Sequence, residues 1–510
     1  MNKKVIIITG FVVLKFVLQF LLIHPVYELH RDEFLHLDQG NHLAWGYISV
    51  PPLSSWVSYV IRLLGNGIFW VRFFPALFGA VTILLVCKTI EALKGSLFAI
   101  ILGGSYALFS VLLRLNGLFH PNSMDVLCWT SVYYFVVRYI DNEKPKWLYF
   151  AAVAFAIGVL NKYNIVFLLV GLIPALMLTP QRKIFFRRDV YLALGAGLVL
   201  ILPNLFWQYR HQFPVLWHMQ ELRTTQLVNV NRGDFPMGQF MLFPAGAFVI
   251  AAAFYALLFY APFRKYRFFF WCYLFTIGLF FYFKAKSYYS IGLYPVYLAF
   301  GAVFLANIFE RRWGWVLRFV SISLPVLLFL VMLKVAFPNK SPEEIVAHRD
   351  EYERYGLLRW EDGRSHTIPQ DFADMLGWKE LAHKTDSLYA ALSLQGKTLV
   401  FCDGYWLTGA VNYYSRKGIR AISFDADYVN WIKLDTPYVN LIRVINPHHM
   451  RQEVEKLQPL FQRSFIVDSI TSMYAREHGA GIAAFIEARV DLNGLVETER
   501  VKRDTCYKYR

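Results

Sequence analysis

The chain has 510 residues, of which 56% are hydrophobic and 18% aromatic, while only 17% are charged. A typical soluble protein contains about 25% charged residues, so this composition excludes an ordinary soluble globular protein. The net charge of +16 is unevenly distributed: residues 339–510 contain 23 basic and 24 acidic side chains, whereas the residues before them contain 29 and 12. Because the basic excess lies between apolar segments, it indicates a membrane protein rather than one that binds nucleic acid.

Apolar blocks of about 20 residues follow one another up to residue 337 and then stop. By length they predict about eleven membrane-spanning helices, at residues 4–23, 69–92, 96–114, 122–140, 146–161, 164–179, 190–207, 238–261, 268–283, 288–308 and 314–336. The first block resembles a signal peptide, but no small-residue cleavage site follows it, so we interpret it as a retained span. The predicted fold is therefore an α-helical polytopic membrane domain, residues 1–337, followed by a soluble domain, residues 338–510.

Basic residues mark alternate loops between the predicted spans. They are Lys3, Lys4, Lys88, Lys94, Lys144, Lys146, the basic residues of 182–188 and of 264–267, Arg311 and Arg312. Loops rich in Lys and Arg remain on the cytoplasmic side, so the N-terminus is expected there. Residues 30–52, residues 208–236, the junction at 284–287 and the C-terminal domain are then expected on the opposite face, periplasmic or extracellular.

The first outer loop, residues 24–68, is too long to be a plain connector. Residues 35–45 and 51–65 read as two amphipathic segments, separated at Pro51-Pro52. Their aromatic residues, Trp45, Tyr47 and Trp56, are typical of helices that lie in the membrane interface.

The C-terminal domain alternates helix and strand patterns. We predict helices at 372–394, 406–417 and 447–457, and strands at 398–403, 421–424 and 438–445, which together indicate a small α/β domain. Cys402 and Cys506 both fall in this domain and could form a disulfide in an oxidising compartment, but their spacing does not decide whether they do.

A carboxylate pair, Asp32 and Glu33, follows the first span closely. Such a pair can be a solvated part of a loop, yet its flanks are amphipathic, and Arg31 and His36 are near in sequence. Carboxylates at the membrane boundary are costly, which favours a functional site. One of them could act as a general base on an acceptor hydroxyl or amine. A divalent cation bound with Asp38 or a histidine is the other option.

Cationic and tyrosine side chains are predicted on the same outer face. They are Lys162, Tyr163, Lys284, Lys286, Tyr288 and Tyr289. A single lysine at such a place often only extends its amine to the interface. Several lysines beside tyrosines, against the positive-inside bias, fit an anionic lipid head group, and a phosphate is the obvious candidate.

A third group, residues 120–125 (HPNSMD), lies where a span re-enters the membrane. Asn122 or Ser123 could cap the helix or take part in function, and His120 is a further candidate. Asp125 is the only acidic residue of that span, and the cost of burying it favours a function.

These motifs together resemble a known family. Residues 31–53 (RDEFLHLDQGNHLAWGYISVPPL) look like the first outer loop of bacterial family 39 glycosyltransferases, membrane enzymes of the GT-C superfamily. Relatives in that superfamily are the protein O-mannosyltransferases and the aminoarabinose transferases of lipid A. Further matches are residues 72–80 (RFFPALFGA), the acidic residue of 120–125, residues 160–164 (LNKYN) and residues 284–295 (KAKSYYSIGLYP).

The resemblance implies transfer of a sugar from a polyprenyl-phosphate donor, with inversion, on the non-cytoplasmic face of the bacterial inner membrane. It implies that Asp32 is the catalytic carboxylate, with Glu33 beside it, and that Lys162, Lys284 and Tyr288 hold the lipid phosphate. The sugar and the acceptor stay open.

Two other readings compete with a transferase. A transporter or flippase of a lipid-linked substrate is expected to place ionisable residues at mid-membrane and to show an internal repeat, and neither is evident. A scaffold without catalysis would leave the carboxylates and lysines unexplained.

Overall fold

A computed structural model of the chain describes residues 3–225, 228, 231–310 and 314–509, without the side chains of 225 and of 503–509. Arg311 and Arg312 lie outside these residues, as does the side chain of Cys506. The helices up to residue 333 are α1 (Lys3–Leu21), α2 (Arg31–Gln39), α3 (Leu53–Leu63), α4 (Ile68–Ala92), α5 (Leu97–Leu108), α6 (Val111–Leu115), α7 (Pro121–Asn142), α8 (Lys146–Asn161), α9 (Val166–Met177), α10 (Arg188–Arg210), α11 (Pro214–Thr225), α12 (Asp234–Leu242), α13 (Ala247–Phe259), α14 (Phe268–Tyr282), α15 (Tyr294–Ile308) and α16 (Gly314–Leu333).

The remaining elements belong to the C-terminal part of the chain. They are α17 (Pro342–Ala347), α18 (Arg349–Arg354), α19 (Gln370–Ala373), α20 (Trp378–Ser393), β1 (Thr398–Cys402), α21 (Tyr405–Tyr414), β2 (Asn440–Ile445), α22 (Met450–Leu457), β3 (Phe461–Ser469), β4 (Gly481–Ala488) and α23 (Leu492–Tyr509).

The chain divides into two compact units. The membrane unit contains residues 1–22, 44–54 and 69–337, and the C-terminal unit contains residues 23–43, 55–68 and 338–510. The carboxylate pair of the first outer loop therefore belongs to the C-terminal unit, and the predicted cationic residues belong to the membrane unit. The helical membrane fold with a small C-terminal α/β domain is confirmed.

Each of the eleven predicted spans coincides with helical structure. By length and composition, five helices in the described part of the chain could cross a membrane, or up to seven if each of two bent helix pairs counts as one span. The number eleven stays a prediction.

Two predicted spans are broken rather than continuous. Residues 96–114 form α5 and α6, because the Ser110 hydroxyl accepts a hydrogen bond from Leu112 N and starts a new helix. Residues 238–261 contain α12 and α13, which are bent by 98°. Pro244 lies at that break, and proline cannot donate the hydrogen bond that would continue the first helix.

The core of the membrane unit surrounds α15, which is buried over almost its whole length. It packs against α5 and α13. Gly301 permits the close approach to α13, since a Cβ atom there would lie 2.0 Å from the Val249 carbonyl oxygen. Small residues at such contacts let helices pack closely in a membrane.

Helix α1 carries a lysine that is fully buried within the membrane unit. The Lys15 amine donates to Gln19 Oε1 at 2.8 Å and to the Leu112 carbonyl at 3.2 Å. Gln19 Nε2 donates in turn to the Leu113 carbonyl at 3.1 Å. These bonds fix α1 to α6, just before the residues that lead into α7.

The C-terminal unit contains one four-stranded sheet with the strand order β1-β2-β4-β3. Strand β1 is parallel to β2, whereas β4 is antiparallel to both β2 and β3. The predicted strand at 421–424 is wrong: only Ile422 pairs, with Phe401, because the amide of Ala421 donates instead to Asn412 Oδ1. Strands β3 and β4 and helix α23 were not predicted. Cys402 is buried and carries a free thiol.

His42, in the first outer loop, stacks on Trp431 of the C-terminal domain. The rings of His42 and Trp431 are parallel, with centroids 4.3 Å apart. Burial, together with Lys433 and Arg420, lowers the pKa of His42 to about 4. The imidazole is therefore neutral in the folded protein at pH values where it would be protonated in the unfolded chain.

We predict that Gln19→Leu lowers the free energy of unfolding by about 1–3 kcal/mol, because Lys15 and the Leu113 carbonyl each lose a partner. The double variant Lys15→Met/Gln19→Leu should recover the part of this loss that comes from the buried amine, whereas the Leu113 carbonyl still lacks its side-chain partner. Thermal unfolding in detergent measures both. A double variant no more stable than Gln19→Leu alone would contradict the prediction.

We predict that His42→Phe reduces the loss of stability between pH 6.5 and pH 4. In this interval the unfolded chain binds a proton at His42 that the folded protein does not, so the histidine contributes a loss of stability as the pH falls. Phenylalanine keeps the ring stacking and does not titrate. The test is to measure the melting temperatures of the wild type and of His42→Phe across this pH interval. Equal decreases of the melting temperature in the two proteins would refute the prediction.

Candidate functional site

The first turn of α2 holds the carboxylate pair in two different ways. His30 Nδ1 accepts a hydrogen bond from Asp32 N at 3.3 Å, and Glu33 Oε2 accepts one from His30 N at 2.6 Å. This is a capping box, in which Glu33 closes the start of the helix and is itself buried. Asp32 lies on the same turn, near the positive end of the helix dipole.

The Asp32 carboxylate is fixed by two neighbours within the C-terminal unit. The Tyr405 hydroxyl donates to Asp32 Oδ1 at 2.5 Å, and Arg31 Nε lies 3.5 Å from the same oxygen. The Asp32 side chain is nevertheless 35% exposed. It is therefore both held in place and accessible, as a general base must be.

Arg31 connects α2 to a buried carboxylate of the C-terminal domain. Its Nε atom lies 3.6 Å from Asp374 Oδ2, and its guanidinium lies over the Trp406 ring at 5.7 Å. Burial alone would lower the pKa of Arg31, but Asp374 and Asp32 outweigh it and raise the pKa, so the side chain stays charged. Asp374 also pairs with Arg476 at 3.3 Å.

The other polar residues of α2 attach this helix to its own unit. Burial lowers the pKa of His36, which therefore favours the neutral imidazole, and its Nδ1 lies 3.2 Å from Gln39 Oε1. Asp38 accepts hydrogen bonds from Tyr428 at 2.6 Å and from Asn412 at 3.0 Å. Six residues apart in a helix, Asp32 and Asp38 point about 120° apart around its axis, so α2 does not bring them together as cation ligands.

In the membrane unit, Lys162 is the centre of the predicted cationic group. Its amine donates to Asn122 Oδ1 at 2.7 Å and lies over the rings of Tyr289, at 4.6 Å, and Tyr288, at 5.4 Å. The capping alternatives for Asn122 and Ser123 are wrong: the N-cap residue of α7 is His120, and Asn122 instead binds Lys162. Ser123 donates to the Leu115 carbonyl at 3.2 Å.

Asp125 lies beside this group and is buried. Its two oxygens accept hydrogen bonds from Trp129 Nε1 at 3.1 Å and from Asn164 Nδ2 at 3.0 Å. Asn164 also donates to the Tyr289 carbonyl at 2.9 Å. The buried aspartate thus fixes the backbone next to the tyrosines that face Lys162.

Lys284 and Lys286 follow α14 in a sharp turn. Lys284 is exposed and adopts a left-handed backbone conformation, φ 54°, which ends the helix and lets the chain reverse. Lys286 precedes the 3₁₀ turn Ser287–Leu293, and its charge repels that of Lys162. Two lysines near one aspartate give this part of the unit an excess of positive charge, which suits an anion.

Hydrogen bonds from α12 position that 3₁₀ turn. Gln239 Oε1 accepts from Ser290 at 2.5 Å and from Tyr294 at 2.6 Å, and Gln239 Nε2 donates to the Ser287 carbonyl at 3.3 Å. The segment that carries Tyr288 and Tyr289 is therefore fixed from both of its sides.

Tyr163 belongs to a different network from Lys162. Its hydroxyl donates to Asn204 Oδ1 at 2.9 Å and accepts from Gln208 Nε2 at 3.0 Å. Asn204 donates to the Trp45 carbonyl at 2.6 Å, which attaches the outer-loop segment 44–54 to α10. Tyr163 therefore has a structural role in these hydrogen bonds, in addition to any contact with the sugar donor.

Several residues that contact the predicted ones were not predicted as site residues. They are Asn164 and Gln239 in the membrane unit, and Asp374, Tyr405 and Trp406 in the C-terminal unit. Only Asn164 had a signal, since it ends the motif LNKYN. The roles of the predicted site residues, and a divalent cation, stay predictions.

Comparisons with known proteins agree with the fold. Residues 49–207 match the family model described as dolichyl-phosphate-mannose-protein mannosyltransferase. The lipid A galacturonosyltransferase RgtD of Rhizobium johnstonii is 27% identical over 218 residues, which make up 41% of this chain and 45% of that protein. The chain therefore matches less than half the length of this curated relative.

Among solved structures, ArnT from Cupriavidus metallidurans bound to undecaprenyl phosphate has a TM-score of 0.59 at 14% identity, covering 93% of this chain and 97% of that one. The apo state of the same protein gives a TM-score of 0.58 at 14% identity, with the same shares covered. At this identity the likeness shows the fold. The chain is thus similar to this mannosyltransferase family over residues 49–207, and it shares the fold of the ArnT structure over most of its length.

Proposed function

We propose that the chain transfers a sugar from a polyprenyl-phosphate donor to an acceptor hydroxyl or amine, with inversion at the anomeric carbon. The observation that carries this proposal is the Asp32 carboxylate, which is held by Tyr405 and Arg31 and yet is about one-third exposed. A carboxylate in this condition can take a proton from an acceptor as the new bond forms.

Lys162 and Lys286, with Tyr288, are proposed to bind the donor phosphate. Their local excess of positive charge would stabilise the phosphate as the sugar leaves, so no general acid is needed there. The solved ArnT complex with undecaprenyl phosphate supports a polyprenyl carrier, and the relative RgtD, named for a lipid A galacturonosyltransferase, supports a sugar as the transferred group. The acceptor is left open as a lipid, a glycan or a protein.

The proposed reaction is a single displacement. A lone pair of the acceptor oxygen or nitrogen forms a bond to the anomeric carbon, while the bond from that carbon to the phosphate oxygen breaks and its electrons stay on the phosphate. Asp32 receives the acceptor proton, and polyprenyl phosphate is the second product. One displacement without a covalent enzyme intermediate inverts the anomeric centre, in contrast to retaining hydrolases.

We further propose that the protein lies in the bacterial inner membrane with its N-terminus in the cytoplasm and its C-terminal domain outside. Three basic loops that the charge pattern assigns to the cytoplasm meet within the membrane unit. Arg187 pairs with Glu143 at 2.9 Å, and Lys265 pairs with Asp141 at 3.0 Å. Their meeting at one end of the helices supports a common side for these loops.

We predict that Asp32→Asn lowers kcat by about 100-fold or more, because the amide cannot accept the proton. Glu33→Gln should lose less than about tenfold, since its side-chain oxygen still closes the capping box. The measurement is release of polyprenyl phosphate by purified protein from a panel of labelled polyprenyl-phosphate sugars, with the exposed Asp435→Asn as a control. Adding a chelator to the wild-type protein tests whether the release of polyprenyl phosphate requires a divalent cation. Near-normal turnover by Asp32→Asn would remove this residue as the base.

We predict that Lys162→Met raises the donor KM by about tenfold or more, because a charged hydrogen bond to the phosphate is lost. Lys265→Met is the matched control, as it removes a lysine paired with Asp141 on the side assigned to the cytoplasm. Equal donor KM values for Lys162→Met and wild type would contradict the assignment.

A further inference from the structure

We propose that Tyr405 is a positioning residue through which the C-terminal domain holds the catalytic carboxylate of Asp32 in its working orientation. The inference rests on the proposed function and assigns a role to the appended domain. Its starting point is the bond from the Tyr405 hydroxyl to Asp32 Oδ1, 2.5 Å long, between residues 373 positions apart.

Tyr405 is itself firmly held. It is the first residue of α21, and its backbone N–H donates to Asp425 Oδ2 at 3.0 Å. The Asp425 N–H donates to Ser423 Oγ at 3.1 Å, and Thr408 Oγ1 donates to the Gly404 carbonyl at 2.8 Å. The start of α21 is thus fixed, so the phenol approaches Asp32 from a defined direction.

The helices that carry the two residues are also locked together. The Phe34 ring lies 5.8–5.9 Å from the rings of Trp378, Tyr413 and Tyr414. Gly409 leaves the room that Phe34 needs, since a Cβ atom there would lie 2.5 Å from Phe34 Cβ. Helix α2 therefore packs closely against α21 at Gly409, and this packing supports the register between Tyr405 and Asp32.

The phenol is suited to act as a permanent donor. Burial and the nearby Asp32 charge raise the pKa of Tyr405 well above its usual range, so the hydroxyl stays protonated. Among the described residues of this unit, the groups near Asp32 include Arg31, with Nε at 3.5 Å, His30, with Nδ1 at 4.0 Å, and the more distant His36. Tyr405 is a neutral donor and contributes direction rather than charge.

Removal of the Tyr405 hydroxyl should change both the orientation and the basicity of the Asp32 carboxylate. An aspartate side chain rotates about two bonds, and without the phenol the carboxylate can occupy other rotamers. A displacement of about 1 Å in a catalytic group can cost on the order of 100-fold in rate. The phenol also stabilises the carboxylate anion, so its removal should make Asp32 more basic.

The test is Tyr405→Phe in the full-length protein, which removes only the hydroxyl. We expect kcat to fall by about tenfold or more, the donor KM to stay within about twofold, and the acid limb of the pH–rate profile to move to higher pH. The matched control is Tyr413→Phe on the same helix, whose hydroxyl donates to the Asn66 carbonyl at 2.6 Å. This control should keep the wild-type kcat and acid limb.

A second substitution keeps the test decisive if Tyr405→Phe is poorly folded. Fluorotyrosine introduced at position 405 has nearly the same shape but a more acidic phenol, so the acid limb should move to lower pH, opposite to the shift in Tyr405→Phe. A merely structural tyrosine would give neither shift.

The outcomes separate the two proposals. Wild-type kcat and pH profile in both variants at position 405 would overturn the role of Tyr405 and leave the transferase function intact. An equal loss in Tyr405→Phe and Tyr413→Phe would also overturn it, because the effect would then come from docking of α2 in general. No transfer by the wild type would instead refute the proposed function.

Discussion

The hold of the C-terminal domain on α2 is the constraint on which the account of catalysis depends. A helix of nine residues is too short to be stable alone, and α2 obtains its stability from a capping box and from packing against α21. Because Asp32 lies in its first turn, the same contacts that stabilise the helix also direct the carboxylate. The short helix and the appended domain thus form one structural element, although 364 residues lie between Gln39 and Gly404 in the sequence.

In the membrane unit, the contacts of Lys162 show how a cationic side chain is accommodated among apolar helices. Lys162 is surrounded by an amide oxygen and two aromatic faces, all of which favour a positive charge without neutralising it. Asp125 contributes one negative charge here and accepts hydrogen bonds from Trp129 and Asn164, while Lys286 adds a second positive charge. The balance leaves an excess of positive charge that an anionic ligand such as a phosphate can satisfy.

The sequence predicted the parts of the fold that depend on long regular patterns. All eleven apolar blocks are helical, because twenty apolar residues in sequence leave few alternatives in a membrane. It did not predict the breaks at Ser110 and Pro244, which depend on single residues inside apolar blocks. Strands β3 and β4 were missed as well, since β3 is mostly exposed and β4 is rich in small residues, so neither shows the expected alternation. The bond between Tyr405 and Asp32, and the contact of Lys162 with Asn122, join residues far apart in the chain and follow only from the tertiary structure.

The central claim is that the sugar leaves its carrier, rather than crossing the membrane while attached to it. The most direct measurement uses proteoliposomes of the purified wild-type protein with a polyprenyl-phosphate sugar, labelled in both the sugar and the lipid, and a mixture of cell-envelope acceptors. The account predicts that the sugar label moves to an acceptor while an equal amount of polyprenyl phosphate is released. Movement of both labels together between the leaflets, without release of polyprenyl phosphate from any donor, would contradict it and identify a flippase instead.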